Sequence, residues 1–176
     1  MGGFNQTEVE AGPLCWYAIH TRARHEKRID VGLRQAGIDT FLPLMREVHH
    51  WSDRRKEVEL PLFPCYLFVH LVPGSRTRLS VLKTPGVLDF VGGKGMGAVI
   101  PDYEIEQVRS VVARQGSFFP SPFLKRGQRV RIRGGALEGV EGILSSHKGA
   151  STLVVSVELI QRSISVLIEG YDLEAA

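Results

Sequence analysis

The residues of this chain that come nearest to the spacing of covalent chemistry do not complete it. Ser145-Ser146-His147 sets hydroxyls beside an imidazole, but adjacency in sequence does not make a nucleophile and its base, and no oxyanion loop accompanies them. His49 and His50 stand side by side in what reads as an extended arm. Their rings should leave on opposite faces, and neither has Cys or His at zinc-ligand spacing. Gly92-Gly93-Lys94-Gly95 has the glycines of a phosphate loop but lacks the hydroxyl residue that would follow the lysine and hold magnesium. Cys15 and Cys65 lie far apart in apolar contexts, giving neither a disulfide framework nor a metal pair, which points to a reducing, cytoplasmic setting. The expectation is no catalytic residue, no metal and no cofactor, in a protein that is not an enzyme and works by binding.

Binding chemistry is better represented. From Gly127 to Leu144 apolar and basic residues alternate, break into glycines and resume. Val130 and Ile132 fall on one face of a period-two strand and Arg129, Arg131 and Arg133 on the other, which gives a core side and a cationic side. Gly134, Gly135, Gly139 and Gly142 then permit positive φ or close backbone approach where the chain reverses. A second basic group lies nearer the N-terminus. Arg24, Lys27, Arg28, Arg34 and Gln35 share one side of a helical wheel, opposite Ile29, Leu33 and Ala36 with His25 and Gly32, and Arg22 precedes them. Guanidinium and ammonium groups suit phosphates and stack on unpaired bases. A merely solvated helix face would carry the same charges, but Val31 among them favours a contact surface. With a formal charge of only +3, clustering rather than excess charge is the signal.

The elements that must position these residues follow from periodicity. Cys15 to His20 reads as a buried strand, and the charged run from Arg22 to Gln35 as a helix ended by Gly37. Asp39 to Met45 reads as a second strand, and Glu47 to Leu60 as a projecting hairpin around the charged turn Ser52 to Lys56. Pro61 to His70, rich in aromatics, should cross the middle of a sheet. Arg76 to Lys83 is a short helix and Gly86 to Val91 a strand. Lys94 to Val99 is a loop, and from Pro101 a helix shows Ile105, Val108 and Val112 as its apolar stripe. Two prolines, Pro120 and Pro122, interrupt all periodicity and mark a linker. Beyond it, Val130 to Ile132, Gly142 to Ser146, Leu153 to Leu159 and Ser163 to Ile168 give four or five short strands, enough for a small barrel. No apolar run approaches a membrane span and no signal peptide is evident, so the reading has no membrane partner. Met1 to Gln6 begins like a myristoylation signal, but Gln6 stands where Ser or Thr is wanted; residues 1–13 read as a flexible tail.

The glycine-punctuated stretch from Gly127 to Leu144 resembles the KOW motif. With Trp16-Tyr17 and Phe63-Pro64-Cys65-Tyr66-Leu67-Phe68-Val69 ahead of it, the chain from Leu14 to Leu173 looks like the NusG family of transcription elongation factors. The details Arg22 to Lys27, His50 to Lys56 and Leu62-Phe63-Pro64 are closer to the specialised RfaH and UpxY types. The resemblance implies an α+β chain with an N-terminal NGN α/β sandwich, its mostly antiparallel sheet flanked by helices, over residues 14–115. A linker at 116–123 and a C-terminal SH3-like KOW β-barrel at 124–176 complete it. Density of β-branched residues in Leu153 to Val157 and Ile164 to Ile168 favours strands over the helical hairpin that RfaH can form there.

By the same resemblance the N-terminal domain binds the clamp helices of the largest RNA polymerase subunit through an apolar depression, at positions matched by His20, Pro64, Tyr66, Phe68 and Phe90. Tyr66 and Phe68 point to one face and should share one fate. Thr77, Arg78 and Leu79 stand where RfaH touches the polymerase gate loop with His-Thr-Thr. Arg22 matches a contact to the non-template DNA strand of the transcription bubble, which Arg24, Lys27 and Arg28 extend by helix geometry. Gly32 and Gln35 replace the DNA-reading residues, so any preferred DNA element must differ. Gly135, Gly139 and Gly142 make the KOW turn, and the barrel would recruit the ribosome or the termination factor Rho. The implied function is antitermination on selected operons, such as those for polysaccharides. Two alternatives remain at this point: a housekeeping elongation factor, and a ribosomal RNA-binding protein using the arginine row of the barrel.

Overall fold

The computed structural model describes residues 12–50, 55–74, 76–93, 96–113, 118–121, 123, 127–147 and 150–176. The myristoylation-like start, positions 52–54 of the hairpin turn, Lys94-Gly95 and Pro122 lie outside the described residues, as do the side chains of His49, His50 and His147.

The N-terminal part is a sheet in the order β2-β5-β1-β6, with antiparallel pairing throughout the described residues. Its strands are β1 (Cys15–Thr21), β2 (Asp39–Phe41), β5 (Tyr66–Leu71) and β6 (Val87–Phe90), and β7 (Val99–Ile100) adds to β1. The apolar run of β5 is buried on both faces because helices cover both. Leu67, Val69 and Leu71 join Tyr17 and Ile19 of β1 against Ile29 and Leu33 of α1 (Glu26–Gln35) and Val81 of α2 (Arg76–Lys83). Phe68 joins Trp16 and Ala18 on the opposite side, with Ile105, Val108 and Val111 of α3 (Asp102–Ala113). A separate two-stranded hairpin, β3 (Leu44–His50) and β4 (Arg55–Pro61), carries the expected extended arms.

The second sheet runs β13-β9-β10-β11-β12-β8. Its strands are β8 (Phe118–Ser121), β9 (Arg129–Arg133), β10 (Glu141–His147), β11 (Ala150–Val157), β12 (Arg162–Leu167) and β13 (Asp172–Ala175). In β9 the alternation is as expected: Val130 and Ile132 are buried, and the three arginines are exposed. The β-branched stretches of β11 and β12 pair as strands. Thr152 to Val155 are all buried, since α3 packs on β11 from outside the sheet. There the Glu158 N–H donates to Glu104 Oε2 at 3.0 Å, and buried residues of both sheets merge into one cluster.

Several expectations change. The strand expected over Asp39 to Met45 divides: β2 ends at Phe41, and Leu44 and Met45 pair with Pro61 and Leu60 in the hairpin. The 116–123 linker holds a strand, β8, whose Ser121 pairs with Ser163 and Pro120 with Ile164. Proline is tolerated because β8 is the edge of the sheet, where its missing N–H breaks no ladder. The first helix starts at Glu26 rather than at Arg22, because Arg24 takes φ +64°, which no right-handed helix accepts. Ala36 is exposed at its end, and Glu26 takes a place on its buried face. In α3 Val111 is buried and Val112 half-buried, because the helix lies between sheet and barrel and needs a wider stripe.

Candidate protein and nucleic-acid interfaces

The residues matched to a polymerase contact gather around one turn. Tyr66 N donates to Phe63 O at 3.1 Å across Pro64 and Cys65, and Cys65 has φ +68°. Proline second and a positive φ third define a type II turn, which leads into β5. Pairing of β1 with β5 places His20 opposite Tyr66, with ring centroids 5.5 Å apart and tilted by 33°. His20 and Pro64 are exposed and Tyr66 is half-buried, so these three form an accessible aromatic corner.

Phe68 lies on the same face as Tyr66, but their surroundings part. It is wholly buried, edge-on to Phe63 at 6.1 Å and stacked near Phe41 at 6.0 Å. Its truncation would cost about 3–5 kcal/mol of stability, so Phe68 supports the corner from beneath and offers no surface of its own. Phe90 is also buried and on the other face of the sheet, edge-on to Tyr17 at 5.9 Å. The Arg78 guanidinium lies 4.0 Å from the Phe90 ring centroid, a cation–π contact that holds α2 to β6, and Thr77 is half-buried beside it. The matched residues thus form two groups, His20, Pro64, Tyr66 and Phe68 on one face and Phe90, Thr77 and Arg78 toward the other.

The basic group is brought together less tightly than a single helix face would bring it. Arg22 and Arg24 lie in the turn before α1, and Lys27 and Arg28 in its first turn, all four exposed. Val31 is 53% exposed among them. Lys27 Nζ approaches Glu59 Oε2 of the hairpin at 3.7 Å, and Arg34 turns back onto Asp30 Oδ1 and Thr40 Oγ1, each at 3.0 Å.

The arginine row of β9 has acidic partners across the sheet. Arg131 Nε donates to Glu141 Oε1 at 2.7 Å and its guanidinium reaches Glu174, while Arg133 pairs with Glu174. Glu141 holds the Arg131 guanidinium still further above its usual value, chiefly by that hydrogen bond. Gly139 (φ +81°) donates its N–H to Ile132 O in the turn, and Gly142 packs against β11. Gly135 opens the short 3-10 helix Gly135–Leu137 between β9 and β10.

A cleft of about 400 Å³ lies between α3 and the second sheet, where Glu104, Glu141 and Glu158 outnumber Arg129. Burial pushes the Glu104 carboxyl up, with the neighbouring Glu158 charge adding to it and the Glu158 N–H partly opposing it. Among the described residues no group of three or more His, Cys, Asp or Glu is placed to hold a metal ion, and no helix is long and apolar enough to cross a membrane.

Sequence reasoning missed Glu26. Its side chain is buried and Oε1 accepts the Cys65 N–H at 2.8 Å, joining α1 to the aromatic turn. The signal was there, since Glu26 stands one turn ahead of Ile29 and Leu33 on the apolar stripe. Also missed was the stack of Trp16 on His70, with ring centroids 4.4 Å apart and 9° between planes, capped by Arg109 at 5.4 Å from Trp16.

The fold is that of a two-part α+β protein, with an aromatic corner and a basic helix start on its first part and a six-stranded β-rich second part. Residues 14–109 match the family described as "Transcription termination factor nusG", more than half of the chain, and the chain belongs to the NusG family. It is 27% identical to the transcription termination/antitermination protein NusG of Borreliella burgdorferi, covering 91% of this chain and 97% of that one. To the protein of the same name from Staphylococcus aureus it is 25% identical, over 94% and 97%. A solved structure, "Domain interaction in Thermotoga maritima NusG", shares the fold with a TM-score of 0.55 at 18% identity, covering 88% of this chain and 93% of that one.

Proposed function

We propose that this chain is a noncatalytic transcription elongation and antitermination factor that binds the RNA polymerase clamp through the corner formed by His20, Pro64 and Tyr66. The observation that carries the proposal is the family match over residues 14–109, which spans both candidate surfaces of the first part. A half-buried tyrosine and an exposed imidazole over a buried base suit a protein interface, where aromatic side chains supply much of the energy. Binding would suppress pausing by differential affinity for the closed clamp, because a ligand shifts an equilibrium only through unequal affinities. Thr77 and Arg78 would approach the gate loop. Arg22, Arg24, Lys27 and Arg28 would hold the non-template strand by its phosphates, and the second part would recruit the ribosome or Rho.

The specialised reading, action on selected operons such as those for polysaccharides, rests on the Arg22 to Lys27 and Leu62 to Pro64 details. Genome-wide occupancy separates it from the general factor: peaks confined to a few long operons support it, and signal across most genes overturns it. The ribosomal RNA-binding alternative loses its main support, since Arg131 and Arg133 are paired with Glu141 and Glu174. For the leading reading, Tyr66→Ala with His20→Ala in the full chain should weaken binding to core polymerase at least tenfold, as loss of an interface centre does. Unchanged affinity sinks the assignment of the corner. Arg22→Ala with Arg28→Ala should lower affinity for single-stranded DNA and flatten its salt dependence.

A further inference from the structure

We propose that Glu26 is a positioning residue for polymerase binding, its carboxylate holding the Phe63 to Tyr66 turn in the conformation that presents Pro64 and Tyr66; this rests on the reading of the aromatic corner given above. The turn demands a positive φ at its third residue, a place that glycine or asparagine usually fills. Here the residue is Cys65 at φ +68°, whose Cβ makes the left-handed conformation unfavourable. Something outside the turn must therefore hold it.

Both backbone polar groups of Cys65 are held from outside. Its N–H donates to Glu26 Oε1 at 2.8 Å, and its carbonyl accepts the Thr21 N–H at 2.9 Å. The second contact is backbone to backbone and survives any side-chain change at either residue. The first depends on one side chain, 3% exposed, on the face of α1 that also buries Ile29 and Leu33. A carboxylate in that stripe costs free energy unless it is hydrogen-bonded, so the Cys65 N–H and Glu26 each require the other.

Glu26 also ties two surfaces together. It is the first residue of α1, and Arg22, just ahead, donates its N–H to Gly86 O at 2.8 Å. Gly86, at φ +100°, fits closely under His25: a Cβ there would lie 2.8 Å from His25 Nδ1. The start of the basic helix is thus clamped between the aromatic turn and the start of β6. Fixing the turn before the partner arrives removes an ordering cost from binding, which is the basis of the affinity effect.

The test uses the full chain with Glu26→Ala, Glu26→Gln and Tyr66→Ala, reading the affinity for core RNA polymerase and the hydrogen-exchange rate of the Cys65 amide. Glu26→Ala is expected to weaken binding about fivefold to tenfold and to accelerate Cys65 exchange, the scale of the net contribution of one hydrogen bond. Glu26→Gln keeps an oxygen at the same reach and should restore both readouts, which a purely global loss of stability would not distinguish. Where Glu26→Ala does not fold, Glu26→Asp, one methylene short of Cys65, takes its place with the same expectation. Affinity within twofold of the parent for Glu26→Ala, while Tyr66→Ala binds weakly, overturns the positioning role and leaves the corner standing. Failure of Glu26→Gln to restore affinity overturns it equally. Unchanged affinity in Tyr66→Ala as well overturns the corner itself, and the positioning role falls with it.

Discussion

Cys65 pays a conformational penalty that its sequence neighbours do not reveal. Left-handed backbone at a residue with a Cβ costs about 1–2 kcal/mol, against which glycine would lose up to about 1 kcal/mol through the freer unfolded chain. Cys65→Gly is therefore expected to stabilise the chain by up to about 1 kcal/mol, seen as a higher urea midpoint at constant slope. A lower midpoint would mean that the thiol's own packing outweighs the strain. The two turn glycines of the second part differ in the same currency. A Cβ on Gly142 would sit 2.4 Å from Val154 O, inside the ladder, whereas one on Gly139 meets nothing within 4 Å and is strained only by φ +81°. Gly142→Ala should cost upward of about 1–3 kcal/mol, as overpacking does, and more than Gly139→Ala in the same denaturation series.

At the scale of elements, the hairpin sets a carboxylate, Glu59, between its own Arg46 and Lys27 of the first helix. Glu59 on β4 lies 3.7 Å from Lys27, both about half exposed, so the pair adds little stability but lowers the positive potential at the helix start. Glu59→Gln is expected to leave thermal stability nearly unchanged and to tighten single-stranded DNA binding modestly at low salt, with the gain vanishing as salt screens it. Equal affinities at low salt would show that Lys27 takes no part. Elements whose cause is local were legible in the sequence. The alternation of β9 needs only its own residues, and α2 spans Arg76–Lys83 as its periodicity indicates. What escaped has distant causes. β8 exists because β12 offers it an edge despite Pro120, Arg131 and Arg133 are neutralised by carboxylates on other strands, and Glu26 is buried for the sake of Cys65. The aromatic corner was readable as residue types, but no periodicity could separate half-buried Tyr66 from buried Phe68, since only the packing of Phe63, Phe41 and α3 decides it.

The whole molecule depends on how α3 meets the second sheet, and a single carboxyl gives that meeting a pH dependence. Glu104 is 6% exposed on α3 and accepts the Glu158 N–H, with Tyr103, Arg129 and Glu141 also lining the cleft. Its pKa is raised, first by burial and then by the Glu158 charge, so the native arrangement prefers the protonated form more than the unfolded chain does. The sign follows from linkage. Its contribution is fully present below the ordinary carboxyl pKa and is lost as pH rises through the raised one. Glu104→Gln imitates the protonated side chain, keeps an acceptor for Glu158 and cannot ionise. Its melting temperature should therefore equal the parent's at the acid end and exceed it increasingly as pH rises through the Glu104 titration, to a constant margin above it. Subtracting the two profiles cancels the carboxylates that do not interact with Glu104, so the difference curve reports on Glu104 and its coupling to Glu158. A flat difference would place the Glu104 carboxyl in water, in an arrangement where α3 and the second sheet do not close around it. Glu104→Ala supplies the complementary measurement. Without that acceptor the Glu158 N–H, on an otherwise exposed residue, loses its protein partner, and a loss of about 0.5–1.5 kcal/mol relative to Glu104→Gln, the net worth of one hydrogen bond, should appear at every pH.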